Sequence, residues 1–237
     1  MRLQVFLSHN GVCSRRKAMD FIQQGRVKLN GQVHKEPSTP VDPQKDKIEV
    51  DGKPVASQKY SYILLNKPKD YVTTKAEFKG EKSVLELLPK SLQHLVPAGR
   101  LDKDTEGLLL LTNDGDLAYR LTHPKFNVEK TYFVSVYGML VPAERRKLES
   151  GILIDGEKTS PVKIKDIKPL KDRTKTDFLL VMHEGKKRQI RLMCEAVGRK
   201  VAYLKRVAQG PLVLGNLQTG KWRELTRDEL DQLQKIK

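Results

Sequence analysis

The sequence has little of what builds secreted or membrane-spanning proteins. It contains two cysteines, Cys13 and Cys194, which are too few for a disulfide framework and favour a reducing cytoplasm. The longest uninterrupted apolar run, Phe178 to Met182, is far shorter than the ~20 residues of a membrane-spanning helix, as is the run from Leu108 to Leu111. The N-terminal segment has no small-residue cleavage site after its apolar residues, so we expect no secretory signal.

Motifs that hold nucleotides, dinucleotides or metal ions are also missing. The sequence has no phosphate loop ending in Gly-Lys-Ser/Thr, no Gly-x-Gly-x-x-Gly segment and no Gly-x-Ser-x-Gly nucleophile turn. The five histidines are scattered, and none has metal-ligand spacing with a cysteine. We therefore expect neither a metal ion nor a cofactor.

A large excess of positive charge dominates the composition. The 45 Lys and Arg against 29 Asp and Glu give a formal net charge of +16, which favours a polyanionic partner such as RNA or DNA. A membrane-surface role is disfavoured, because the cations do not lie on a long amphipathic helix with a bulky apolar face. One cluster of cations, within residues 183–210, comprises Lys186, Lys187, Arg188, Arg191, Arg199, Lys200, Lys205 and Arg206.

The first 56 residues predict a small module of two short helices and a hairpin. Ser14 is a candidate helix N-cap, and Asn30-Gly31 is a strong signal for a two-residue hairpin turn. The helix after Ser14 opens with Arg15, Arg16 and Lys17, although cations in a first turn oppose the helix dipole by about 0.3–1 kcal/mol each. We therefore expect an anion such as phosphate beside these three cations.

From Tyr60 onward, many short strands with interspersed helices predict an α+β fold. Strands and helices do not alternate, which favours a mixed, mostly antiparallel sheet with flanking helices. A polar linker is predicted over residues 57–60, between domains at 1–56 and 61–237. The predicted helices span residues 117–122, 142–149 and 187–197, and a last helix opens with the capping box of Thr226 and Glu229 and buries Leu230, Leu233 and Ile236.

Two segments near the N-terminus resemble the small RNA-binding domain of the ribosomal protein S-four type. They are Cys13 to Ala18 and Gly25 to Gly31. The resemblance implies that the two helices and the hairpin present a basic face to structured RNA. The RNA-binding residues that it implies are Arg15, Arg16, Lys17, Arg26 and Lys28.

The rest of the chain resembles RsuA-type pseudouridine synthases, through motifs that occur in the order and spacing of that family. The motifs are Asn66-Lys67-Pro68, Gly99-Arg100-Leu101-Asp102 with the segment from Thr105 to Gly115, Glu129-Lys130-Thr131-Tyr132, and the segment from Glu184 to Arg191. The details are closest to the RluB branch. The resemblance implies a cofactor-free enzyme that converts a uridine of ribosomal RNA, with large-subunit RNA favoured, to pseudouridine. We expect the protein to be a monomer.

This reaction requires a carboxylate, because breaking the C1′–N1 bond of uridine resembles the cleavage of a glycoside. The resemblance makes Asp102 that carboxylate, acting either as a nucleophile on the sugar or as a base at C2′. A carboxylate in a dry pocket needs a cation to stay ionised, and Arg191 is the predicted partner of Asp102. Tyr132 is predicted to stack on the uracil and to remove the C5 proton.

The remaining cations are expected to hold the RNA. Arg100 is predicted to occupy the space that a flipped-out base leaves, or to contact a phosphate. Phosphate contacts, which position RNA without reading its sequence, are expected of Lys186, Lys187, Arg188, Arg199, Lys200, Lys205 and Arg206. Two alternatives stay open: an enzyme of the same family that acts on small-subunit RNA, and a non-catalytic RNA-binding or ribosome-assembly factor.

Overall fold

The computed structural model describes residues 1–74 and 80–236 of the chain, which begins with two helices and a small sheet. The elements are α1 (Leu3–His9), α2 (Arg15–Gln23), β1 (Val27–Leu29), β2 (Gln32–Val33), β3 (Ile48–Val50) and β4 (Lys53–Pro54). The four strands form an antiparallel sheet in the order β2-β1-β3-β4. Apolar residues of both helices, of β1 and of β3 form a separate hydrophobic core.

Local signals of the sequence are realised in this N-terminal part. The Ser14 hydroxyl accepts a hydrogen bond from the backbone amide of Lys17 at 3.2 Å, so Ser14 caps α2 as predicted. Asn30 and Gly31 both have a positive φ, which the tight turn between β1 and β2 requires. The predicted helices and hairpin are therefore confirmed.

The predicted linker is hydrogen bonded on both sides. The Asn10 side-chain oxygen accepts a hydrogen bond from the Gln58 amide at 2.6 Å, and the Asn113 side chain donates one to the Lys59 carbonyl at 3.1 Å. The His9 ring lies between the carbonyl oxygens of Asn113 and Gln58, at 3.1 and 2.9 Å. These bonds tie α1 to the larger part of the chain, while the domain boundaries stay a prediction.

In the described ranges, the larger part is built on a nine-stranded sheet. Its strands are β5 (Tyr62–Lys67), β8 (Val96–Pro97), β9 (Glu106–Thr112), β10 (Lys130–Tyr137), β13 (Lys163–Pro169), β14 (Lys175–Met182), β15 (Val201–Gln209), β16 (Leu212–Val213) and β17 (Trp222–Glu224). Two short ribbons pair β6 (Tyr71–Val72) with β7 (Lys82–Ser83) and β11 (Leu153–Ile154) with β12 (Glu157–Lys158).

The sheet is mixed and mostly antiparallel, as predicted. Its central order is β13-β14-β10-β15-β9-β5-β17, and the one parallel pair along it joins β15 to β9. The helices of this part are α3 (Gly115–Thr122), α4 (Pro142–Ser150), α5 (Gln189–Ala196) and α6 (Arg227–Gln234), with short 3₁₀ turns at Val84–Leu87, Lys90–Leu92 and Pro124–Phe126. Within the described ranges, no helix is long and apolar enough to cross a membrane.

Both faces of the sheet are buried at its centre, which explains the continuous apolar run in β9. Leu109 and Leu111 contribute to a core with residues of β10 and α5. Leu108 and Leu110 contribute to a second core with residues of α3 and α6. A strand that is covered on both sides needs apolar residues at consecutive positions, whereas a strand with one wet face would alternate.

Three predicted helices differ in detail from the structure. α3 begins at Gly115 rather than at residue 117, because the Asp114 side chain caps it. α5 begins at Gln189 rather than at residue 187, because Arg188 has a φ of +54° and cannot belong to a right-handed helix. α6 buries Leu233 fully, whereas Leu230 and Ile236 are half-buried against the second core. Some strands of two or three residues, namely β6, β8 and β17, were not predicted, since they are too short to show a periodicity.

One glycine permits the parallel contact between β9 and β15. Gly107 lies opposite Arg206 and has a φ of +110°, in a region that L-residues rarely adopt. A Cβ atom at this position would lie 2.2 Å from the carbonyl oxygen of Arg206. The two strands can therefore approach only because this residue has no side chain.

Gly107→Ala tests this constraint. We expect the free energy of unfolding to fall by about 2–4 kcal/mol, because the strained φ and the backbone collision act together. Chemical denaturation measures the change. The matched control is Gly156→Ala, at a φ of +83° with open space around the Cβ position, where backbone strain alone predicts a loss of about 1–2 kcal/mol. Equal losses in the two variants would contradict the argument.

Candidate active site

One cleft, with a volume of about 790 Å³, brings together motifs that are far apart in the sequence. One side is the loop that precedes β9, and the other is the segment from Met182 to Ile190 that leads into α5. Residues of β10 and β15 lie between these two sides. The predicted site residues that line the cleft are Arg100, Asp102, Tyr132, Lys186, Lys187, Arg188 and Arg206.

Asp102 lies on the loop before β9 and is half-buried. The Thr73 hydroxyl donates a hydrogen bond to the Leu101 carbonyl at 2.8 Å, and the Thr105 amide donates one to the Asp102 carbonyl at 3.0 Å. Among the described residues, no backbone amide donates to the Asp102 carboxylate. Backbone bonds thus hold the turn, and the carboxylate stays available to the cleft.

Lys67 stabilises the loop that precedes β9 through hydrogen bonds to its backbone carbonyl oxygens. Its side chain is fully buried at the end of β5, and the ammonium lies 2.9, 3.1, 3.3 and 2.8 Å from the carbonyl oxygens of Pro68, Asp102, Lys103 and Thr105. Since an ammonium has donors only, a ring of carbonyl acceptors is its natural environment. No role was predicted for Lys67, although the motif that contains it was noticed.

The charge of Lys67 depends on opposing effects. Burial lowers the pKa of its ammonium to about 8, and the nearby Asp104 and Asp102 carboxylates oppose this shift. The group is therefore mostly protonated at pH 7, and it donates to the loop carbonyls as a cation.

Arg191 has a different partner from the predicted one. Its Nη2 atom lies 3.1 Å from the Asp104 carboxylate and donates a hydrogen bond to the Asp104 carbonyl at 3.1 Å. Arg188 approaches the same carboxylate at 3.3 Å. Among the described residues, Arg191 has no ion pair with Asp102 within 4 Å, so the prediction was wrong in this respect. Asp104 was missed, although it stands two residues after Asp102 on the same loop.

Tyr132 and an unpredicted lysine share the strand at the floor of the cleft. Tyr132 is buried in β10 and pairs with Arg206 of β15. Two residues earlier, on the same face of the strand, the Lys130 ammonium donates a hydrogen bond to the His183 carbonyl at 2.9 Å. Burial and the nearby Arg206 lower the pKa of Lys130 to about 8.

Arg206 and Lys205 differ from the expected exposed phosphate contacts. Arg206 is only 2% exposed, and its Nε atom donates a hydrogen bond to the Leu108 carbonyl at 2.8 Å. Lys205 is half-buried and does not line the cleft. Consecutive residues of a strand face opposite sides of the sheet, so the two cations cannot share one RNA surface.

The exposed cations lie at the rim of the cleft. Arg100 and Lys187 are exposed, and neither has an ion pair within 4 Å among the described residues. Lys186 is paired with Glu157 at 2.5 Å, and Arg188 with Asp104 as described above. Arg100 and Lys187 are therefore the rim cations most available to a phosphate.

The N-terminal cations are of two kinds. Arg26 is stacked on Phe21, 3.8 Å from the ring centroid, and its Nε atom donates to the Asp51 carboxylate at 2.9 Å. It thus holds the hairpin to α2, which limits its predicted role in RNA binding. The four other predicted RNA-binding cations are exposed, and they are Arg15, Arg16, Lys17 and Lys28.

Comparisons with known proteins agree with this arrangement. Residues 61–196 match the RNA pseudouridylate synthase family, and residues 1–48 match the S4 domain. The ribosomal large subunit pseudouridine synthase B of Bacillus subtilis is 43% identical over 235 residues, which are 99% of this chain and 96% of that protein. An uncharacterized RNA pseudouridine synthase of Aquifex aeolicus is 42% identical over 98% of this chain and 93% of its own length.

A solved structure has a similar fold. A crystal structure of a pseudouridylate synthase superposes with a TM-score of 0.69 at 32% identity, and covers 98% of this chain and 99% of its own. The agreement therefore extends over both the N-terminal part and the larger sheet.

Lys67→Met tests whether the buried ammonium holds the loop. We expect the free energy of unfolding to fall by about 2–4 kcal/mol, because Met fills the space but leaves buried carbonyl acceptors unsatisfied. Denaturant titration measures the loss, and hydrogen exchange of the Thr105 amide should become faster. Lys69→Met is the control, since Lys69 is partly exposed and its nearest acid, Glu106, is 4.0 Å away. Similar stability of both variants and the wild type would refute the role of Lys67.

Proposed function

Because the chain belongs to the family of RNA pseudouridylate synthases, we propose that it converts a uridine of ribosomal RNA to pseudouridine and that Asp102 acts on the ribose. The observation that carries the proposal is the cleft in which Asp102 and Tyr132 lie together below exposed cations. RNA of the large subunit is the favoured substrate. The relative from Bacillus subtilis, which matches 99% of the chain, supports this choice by its name.

The proposed reaction is an isomerisation, so it needs no redox partner and no group donor. The C1′–N1 bond of uridine breaks, the uracil turns over, and C5 joins C1′ while it loses its proton. Asp102 assists the first step, either by attack on the sugar carbon or by removal of the C2′ proton. Tyr132, buried at the floor, provides a face on which the uracil can stack.

The surroundings of Asp102 keep its loop in one conformation. Lys67 holds the loop carbonyls, and the ion pair between Arg191 and Asp104 joins the loop to α5. Arg191 therefore acts on Asp102 through the backbone of the loop as a positioning residue. A catalytic carboxylate gains from such rigidity, because small displacements from the productive geometry reduce the rate strongly.

RNA binding is divided between two surfaces in this proposal. The exposed Arg100 and Lys187 contact phosphates near the target uridine, and Arg100 can also fill the space of the flipped base. The cations in the first turn of α2 contact RNA farther from the target. These cations oppose the helix dipole when no anion is present, which supports their assignment to a phosphate.

Asp102→Asn is the decisive test of the chemistry. Asn keeps the size of the side chain but removes the charge and the reactive oxygen, so we expect single-turnover pseudouridine formation to fall by at least ~10⁴-fold. RNA affinity should be retained. Product is measured by nuclease digestion and mass analysis of the RNA. Asp231→Asn, an exposed substitution on α6, is the control. Near-normal turnover of Asp102→Asn would end the proposed mechanism.

The substrate assignment has its own measurement. Ribosomal RNA from a strain without this gene should lack one pseudouridine of the large-subunit RNA, and the purified enzyme should restore it. Loss of a pseudouridine from small-subunit RNA would instead support the alternative specificity. Unchanged ribosomal RNA of both subunits would contradict the proposed substrate class.

Replacing Arg15, Arg16 and Lys17 together with Ala tests the N-terminal surface. We expect weaker RNA binding and a salt dependence whose logarithmic slope is smaller by about 2–3, because up to three phosphate contacts are lost. Binding titrations over a range of salt concentrations measure this slope. The matched control replaces the exposed Lys45, Lys47 and Lys53 of the same module with Ala. Equal changes of RNA affinity and salt dependence in the two triple variants would contradict a specific binding surface at Arg15, Arg16 and Lys17. They would show that RNA binding depends only on the total charge of the module.

A further inference from the structure

The guanidinium of Arg206 is buried beside the cleft without a full set of partners. Its Nε atom is bonded to the Leu108 carbonyl, but its buried Nη2 atom has no hydrogen-bond partner among the described residues. An unsatisfied buried donor costs about 1–3 kcal/mol, and more when the group is charged. The residue nevertheless lines the cleft that contains Asp102. Such an unused donor is what a site for a ligand requires.

A second cation lies close to Arg206. Lys130 is half-buried and lines the same cleft, and its proximity to Arg206 contributes to the lowered pKa described above. Among the described residues, neither cation has an acidic side chain within 4 Å. The acids that line the cleft are Asp102 and Glu184, and Glu184 accepts hydrogen bonds from the Ser160 amide at 2.8 Å and from Gln189. The floor is therefore a positive region that favours an anion.

The depth of these cations distinguishes between two kinds of anion. An RNA phosphate is strongly hydrated and lies on the outside of the nucleic acid, where the exposed Arg100 and Lys187 can reach it. A flipped-out base enters the pocket itself. Arg206 pairs with Tyr132 across the two strands, and Lys130 shares the face of Tyr132. The buried Arg206 and the half-buried Lys130 thus flank the residue on which the uracil stacks.

We propose that Arg206 is a further catalytic residue, whose free guanidinium N–H stabilises the negative charge that develops on the uracil as it leaves the ribose. This inference rests on the proposed function. When the C1′–N1 bond breaks, its electron pair stays on the base and is shared by N1 and the O2 oxygen. A donor already in position at this oxygen lowers the barrier, because no reorganisation of solvent is needed. Lys130 adds to the positive potential.

The charge exists only until the new bond forms. C5 of the turned uracil supplies the electron pair for the bond to C1′, and the C5 proton then leaves to a base. The uracil thus carries a negative charge between the cleavage of the C1′–N1 bond and the formation of the C1′–C5 bond, and Arg206 acts in that interval. No oxidant, reductant or additional reactant enters the balance.

Arg206→Gln and Arg206→Lys test the proposal with two RNA substrates. Both substrates have the sequence of the RNA that the wild-type enzyme modifies. The target nucleotide is uridine in one substrate and 5-fluorouridine in the other. Fluorine withdraws electrons and makes the uracil a better leaving anion. With the uridine substrate at saturating RNA, we expect Arg206→Gln to lower the single-turnover rate of C1′–N1 bond cleavage by about 10²–10³-fold. The loss for 5-fluorouridine should be at least tenfold smaller, and Arg206→Lys should fall between the wild type and Arg206→Gln.

The comparison of two substrates makes the result independent of the folded fraction. Arg206→Gln can lower stability through the lost bond to Leu108, but unfolding reduces both rates equally and leaves their ratio unchanged. Equal losses for both substrates would therefore overturn the proposal. Weaker RNA binding of Arg206→Gln with an unchanged rate at saturating RNA would also overturn the proposal, because this result would identify Arg206 as a phosphate contact. Arg146→Met, an exposed substitution on α4, controls for the loss of one positive charge.

The result also separates this inference from the proposed function. If the wild-type enzyme forms no pseudouridine in ribosomal RNA, the proposed function fails. If the wild-type enzyme is active and Arg206→Gln retains its rate with uridine, the role of Arg206 alone fails.

Discussion

The close approach of β9 and β15 at Gly107 is the constraint on which the cleft depends. This parallel contact joins the strand that follows the Asp102 loop to the strand that carries Arg206. β15 also pairs with β10, so Tyr132 and Lys130 come to the same place. A side chain at position 107 would push the two strands apart by its contact with the Arg206 backbone. The geometry of the site is thus a consequence of sheet packing at one residue.

Buried charges organise the site at a cost in desolvation. Lys67 is fully buried against four carbonyl oxygens, and Arg191 is paired with Asp104 on the loop. Removing a cation from water is unfavourable unless its donors are satisfied. Lys67 meets this condition through the carbonyl oxygens, and Arg191 meets it through Asp104, although the buried Nε atom of Arg191 has no partner among the described residues. Among the residues that the structure describes, Arg206 meets it only through Leu108. The contrast separates cations that hold the loop from a cation that remains available to a substrate.

The exposed cations and the cations at the floor of the cleft suit different parts of an RNA substrate. Exposed cations at the rim and on α2 suit phosphates, whose contacts are weakened by salt and carry no sequence information. The buried Arg206 and the half-buried Lys130 at the floor suit a base that has left the RNA stack, and the low dielectric constant of the surroundings strengthens their effect there. The N-terminal part is hydrogen bonded to the larger part through His9, Asn10 and Asn113. The two proposed RNA-binding surfaces are therefore parts of one connected structure.

Features with short-range causes were determined by the sequence itself. The cap at Ser14 and the turn at Asn30-Gly31 follow from local chemistry, and the motifs around Asp102 identified the family. Only the tertiary structure decided that Arg191 pairs with Asp104 and that Arg206 is buried rather than exposed. The reason is that these contacts depend on how β9, β15 and α5 meet in space. Alternation along a strand indicates two faces, but it does not indicate which face borders the cleft.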